Sequence, residues 1–141
     1  MTTASAKRAA AWALLLGGLG GALSCGAKRH ELVTSSLVLA AEGKVSARVG
    51  DNLNTNLEVE VKHLAPPGRV VQGARVYVVW VRPASGTVQN VGALRLNENL
   101  EGKFTTVTPF REFTLWVTPE TAATVQAPTS DPVMQAQIVV E

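Results

Sequence analysis

The sequence predicts an all-β fold built as an antiparallel sandwich, on three observations. Beyond residue 36, apolar side chains recur mostly at every second position, the period of a strand with one buried face. Clusters of Pro, Gly, Asn and Asp interrupt these runs at short intervals, which is turn chemistry. No long 3.6-residue apolar period occurs outside the first 25 residues, so helix is expected to be nearly absent.

The first strand is expected at 44–49. The stretch "SARVGDNLNTN" then supplies Asp51, Asn52, Asn54 and Asn56, whose short polar side chains bond nearby backbone and favour a hairpin turn. In "LEVEVKHL", Leu57, Val59, Val61 and His63 share one face and Glu58, Glu60, Lys62 and Leu64 the other, as in a half-buried strand with one wet face. "APPGRVVQG" reads as a connection, because Pro66, Pro67, Gly68 and Gly73 punctuate it. "ARVYVVWV" is apolar on both faces, so it should be a central strand covered on both sides. "RPASG", "NENLEG" and "TPF" separate several of the remaining strands, expected at 88–96, 102–108, 112–118 and 133–140. Trp80 and Trp116 fall inside strong strands, where a tryptophan fills the space between sheets and seeks a partner for its indole N–H. The alternative for the pair is a platform for a sugar ring, and the alternation of Trp116 with Phe113, Leu115 and Val117 would turn it outward. Turn signals at this spacing make the sandwich immunoglobulin-like, with about seven strands.

Size and charge bound the function. A chain of 141 residues has room for one domain and a terminal segment. Without its first two dozen residues it buries about 65% of the unfolded surface in one core. Lys7 and Arg8 supply the whole formal charge of +2, and beyond Cys25 the cations and anions balance. A balanced domain has no electrostatic claim on nucleic acid, so none is expected as a partner. The cluster Lys28, Arg29, His30 reads as solubilising charge in a spacer rather than a phosphate site.

The amino terminus has the form of a targeting signal. Lys7 and Arg8 precede an apolar run over 9–23, shorter than the roughly 20 residues of a spanning helix. Gly17, Gly18, Gly20 and Gly21 interrupt it, each costing a helix about 1 kcal/mol against alanine. The run ends in "ALSC", with Cys25 the one cysteine of the chain. Small residues leading directly into a cysteine resemble the lipobox of bacterial lipoproteins. Ser24 fits that pattern, while the leucine usual three residues before the cysteine is Ala22, with Leu23 one place later. The resemblance implies cleavage before Cys25, a lipid on its thiol and a place in the cell envelope. The organisation expected is a signal peptide over 1–24, a lipidated tether over 25–36 and the β domain over 37–141. Secretion after cleavage near Ser24, leaving a free thiol, is the alternative, and burial of Cys25 as a small hydrophobe a weaker one. With no second cysteine there is no intramolecular disulfide, so the core alone must hold the domain.

A second resemblance covers most of the remaining chain. "VYVVWVRPASGTVQNVGALRLNENLEGKFTT" and "FREFTLWVTPETAATVQAPTSDPVMQAQIV" are similar to the extracytoplasmic β domain of anti-sigma-K-type proteins. In that family a helical segment inside the cell holds the sigma factor. Only Met1 to Ala6 precede the signal here, so the resemblance implies a sensor-like outer domain without sigma-factor control.

Catalytic and metal chemistry find no support in the residues. His30 lies in the expected tether and His63 at a strand end, with no second ligand at metal spacing. No "GxSxG" is present, and the Asp51 region lacks the glycine and final glutamate of a calcium loop. The sequence therefore predicts no catalytic residue, no cofactor and no metal. Its expected function is a lipid-anchored, non-enzymatic binding or structural module whose partners are the membrane and another envelope protein. A sensory or regulatory accessory domain of a membrane complex is the alternative.

Overall fold

The computed structural model describes residues 26–141. They form nine strands: β1 (Lys28–Glu31), β2 (Val33–Thr34), β3 (Glu42–Val49), β4 (Thr55–Lys62), β5 (Val76–Pro83), β6 (Gln89–Leu94), β7 (Gly102–Thr108), β8 (Glu112–Glu120) and β9 (Met134–Val139). The strands lie in two antiparallel sheets, ordered β1-β3-β4-β7 and β2-β9-β8-β5-β6. Among the described residues helix is confined to a 3₁₀ turn at Ser36–Val38 and one short helix, α1 (Pro67–Val70). All seven strands expected between 44 and 140 are present, as β3 to β9.

The other two correct the expected spacer over 26–36. From Lys28 onward that segment belongs to the sandwich: β1 pairs with β3 and β2 with β9. Between them Leu32 enters the core at 6% exposure, so the chain changes sheets at this residue. His30 consequently sits opposite Val45 in a ladder, half-buried, rather than in a solvated tether.

The core follows from the period-two patterns. Val45, Ala47, Leu57, Val59 and Val61 of one sheet face Tyr77, Val79, Val81, Phe113, Leu115, Val117, Met134, Ala136 and Ile138 of the other. The opposite face of β4 is wet, with Glu58 and Glu60 both bridged to Lys103 of β7, at 3.1 and 3.5 Å. His63 departs from the expected alternation. Its φ of 54° reverses the direction of the next side chain, so Leu64 is buried and His63 is exposed. On β6, Gly92 has a φ of 139° beside an irregularity in the pairing with β5. A side chain there would meet the Phe104 ring at 2.7 Å, so glycine lets the sheets approach.

The β3–β4 turn is a hairpin, as its composition predicts. Gly50 N–H donates to the Asn54 carbonyl at 2.7 Å, and Leu53 N–H donates back to Gly50 at 2.9 Å. Leu53 takes a φ of 65°, a left-handed conformation that costs a leucine about 1–2 kcal/mol.

Tyr77 locks the β4–β5 connection to the core: its hydroxyl donates to the Ala65 carbonyl at 2.5 Å. Burial raises its pKa above the model-compound value of 10.0, because the phenolate would lose its water. The folded state therefore holds this proton more tightly than the unfolded chain. Stability should be insensitive to this group below about pH 10 and fall as pH rises beyond it. Denaturant melts of wild type and Tyr77→Phe should thus converge as pH rises past 10; parallel curves would refute the assignment.

Candidate functional site

The outward face of the five-stranded sheet is not a bare wet face. Val78 and Trp80 of β5 point away from the inter-sheet core, yet both are completely buried. Trp80 therefore does not lie between the sheets as expected. The cover is the β8–β9 connection, which is fastened over this face at two places. At one, Asn90 Nδ2 on β6 donates to the carbonyls of Ala123 and Val125, at 2.8 and 2.9 Å.

The second fastening is a chain of hydrogen bonds that begins on Trp80. Its indole Nε1–H donates to Thr118 Oγ1 at 2.7 Å, and that hydroxyl donates to Glu120 Oε1 at 2.7 Å. The Glu120 carboxylate then receives the Thr129 N–H at 2.9 Å and the Thr129 hydroxyl. Glu120 is 1% exposed. A buried carboxylate is tolerable only when donors replace its water, and here three donors converge on it. Thr129 belongs to "PTSDPV", whose composition marks a loop but not its docking site.

Beside this strapped loop opens a groove of about 500 Å³ lined by Arg82, Gly86, Thr87, Val88, Trp116, Gln126 and Ala127. Antiparallel register sets Trp116 directly across from Trp80, and its alternation with the buried Leu115 and Val117 turns it outward. The outward option read from the alternation of Trp116 is the one realised. The Arg82 guanidinium lies 5.7 Å from the centre of the Trp116 ring, within range of a cation–π contact. Among the described residues Arg82 has no carboxylate within salt-bridge distance. The Trp116 Nε1 is buried and bonded to no protein acceptor. Thr114 and Gln137, joined at 2.8 Å, continue the polar surface outside the groove.

The groove thus offers an aromatic surface, a positive fork with open donors, and hydroxyl and amide groups, without a carboxylate in its lining. Such a set can hold an anionic ligand and orient it. It contains no base or nucleophile pair. A groove of similar size beneath the β6–β7 turn includes Lys103, which Glu58 and Glu60 already hold. Among the described residues no three His, Cys, Asp or Glu side chains converge as metal ligands do. Cys25 and the targeting segment lie outside the described residues. Comparison of the chain with known protein families, with curated proteins and with solved structures finds no match.

Proposed function

We propose that the chain is a lipid-anchored cell-envelope protein whose β-sandwich is a non-enzymatic binding module. Cys25 carries the lipid, and the Arg82–Trp116 groove takes a carboxylated sugar. The observation that carries the binding site is Arg82, within cation–π range of Trp116 and without a carboxylate partner among the described residues. A guanidinium meets a carboxylate through two parallel hydrogen bonds, while the part of the indole that Arg82 leaves uncovered borders the apolar side of the sugar ring. Thr87 and Gln126 supply hydroxyl and amide groups for the ring's own hydroxyls. The anchor is supported by the sequence alone, through the signal-like run that ends in "ALSC".

Two measurements test this reading. Envelope fractionation should find the native chain with the membranes and the Cys25→Ser variant uncleaved or released. A native amino terminus at Cys25 without added lipid mass would sink the anchor. Titration with an oligouronide should show binding that Arg82→Ala weakens about tenfold to a hundredfold, the equivalent of one charged hydrogen-bonding contact. Equal affinity of wild type and Arg82→Ala, or equal affinity for a neutral oligosaccharide, would remove the groove from the function.

A further inference from the structure

We infer that the end of the sandwich holding Gly26 and the β3–β4 turn docks on a phospholipid bilayer, with Leu53 inserted at the headgroup level. This deepens the anchor reading and rests on it for the orientation of the domain.

Pairing in the two sheets brings several segments to one end. Lys28 lies opposite Ala47, so the chain enters the sandwich beside the β3–β4 turn. The β7–β8 turn and the carboxyl terminus reach the same end. Arg111 Nη2 donates to the Leu53 carbonyl at 3.4 Å, Val140 N–H donates to the Arg111 carbonyl at 2.8 Å, and Lys28 meets Glu141 at 3.6 Å.

Leu53 stands at the tip of this end, 69% exposed, with Val107 at 52% and Val139 at 41% close to the same end. Its backbone is left-handed, a conformation asparagine accepts more readily than leucine. Asparagines occupy positions 52 and 54 on either side, yet the left-handed position holds an exposed leucine. With Val107 and Val139 it gives this end apolar surface that the fold leaves uncovered, whereas Leu100, the other leucine with a left-handed backbone, is only 37% exposed.

Reach identifies the contact. Cys25 to Lys28 is a step of three residues, which spans about 10 Å at full extension. With lipid on Cys25, this end cannot leave the bilayer surface. Its charge suits that position: Arg29, Arg48 and Arg111 are exposed and have no carboxylate partner among the described residues. Asp51 and Glu112 are the exposed anions nearby, Glu141 being bridged to Lys28. Apolar residues at headgroup depth ringed by cations match the chemistry of interfacial docking on anionic lipid.

The test uses the full chain, matured and purified from the envelope, in vesicles of phosphatidylethanolamine and phosphatidylglycerol with brominated acyl chains. Leu53→Trp should lose its added emission there and keep it in unbrominated vesicles. Leu39→Trp, at an exposed position of the opposite end, should keep its emission in both. Equal quenching at the two positions, or stronger quenching at 39, overturns the inference. A second measurement on wild type guards against misfolding of the variant. Amide exchange over 50–54 should slow when the protein is on vesicles, and Leu53→Asn, which retains the turn, should abolish that slowing. Unchanged exchange in wild type overturns the inference too. If the native protein proves soluble, the anchor reading fails separately. Vesicles are then added to the soluble protein: quenching confined to position 53 supports the docking surface, and none refutes it.

Discussion

Trp80→Ala is expected to lower the stability of the domain by about 3–5 kcal/mol, a large part of the roughly 5–15 kcal/mol available to a domain of this kind. The indole is fully buried on the outward face of β5, so truncation leaves a cavity beneath the β8–β9 connection. It also removes the donor that orients Thr118 toward Glu120. Trp80→Phe should cost less, since it refills most of the space and removes only the hydrogen bond. Urea melts of the three forms measure both parts. Overlaying curves for wild type and Trp80→Ala would show that this face is not packed.

Glu120→Ala should have a comparable effect, on the order of 3–5 kcal/mol, because hydrogen bonds to a charged group contribute about 1.5–3 kcal/mol each and stranded buried donors are penalised. Thr118 Oγ1–H, Thr129 N–H and Thr129 Oγ1–H all lose their acceptor at once. The damage should be local before it is global. Amides of the β8–β9 connection should exchange faster in Glu120→Ala under native conditions, while those of β3 and β4 keep their protection. Uniform loss of protection across both sheets would mean that Glu120 supports the whole core rather than the loop. The Arg82–Trp116 groove, with Gln126 and Ala127 in one wall, should lose its shape together with the loop.

Most of the seven long strands were legible because they bury one face, and burial forces alternation. The pair β1 and β2 left no such mark. "KRHE" and "VT" contribute backbone bonds at sheet edges rather than inward side chains, and edge pairing is nearly blind to residue type. The two-sided burial of β5 was legible from "ARVYVVWV", but not which face met the other sheet. Parity settles that only once Val79 and Val81 are placed in the core, which sends Trp80 outward. His63 broke the pattern through its backbone, where a single left-handed residue exchanges the faces. The candidate groove was half legible. Alternation with Phe113, Leu115 and Val117 pointed Trp116 outward, whereas Arg82 reaches it only through the register of β5 on β8. Glu120 carried no signal, because a carboxylate after "VTP" looks like any solvent-facing charge until Thr129, nine residues on, folds back onto it.

The passage of the chain from one sheet to the other at Leu32 also sets an order of assembly. β1 pairs with β3 across a short stretch of sequence, whereas Val33 of β2 must find Gln135 of β9. Closing that loop of about a hundred residues costs more chain entropy than closing the β1–β3 loop. In a chain made from its amino terminus, the first half of the opening segment can dock as soon as β3 is available. The second half must wait for nearly the last residues to be synthesised. Leu32, lying between the two, is the point where early and late folding meet.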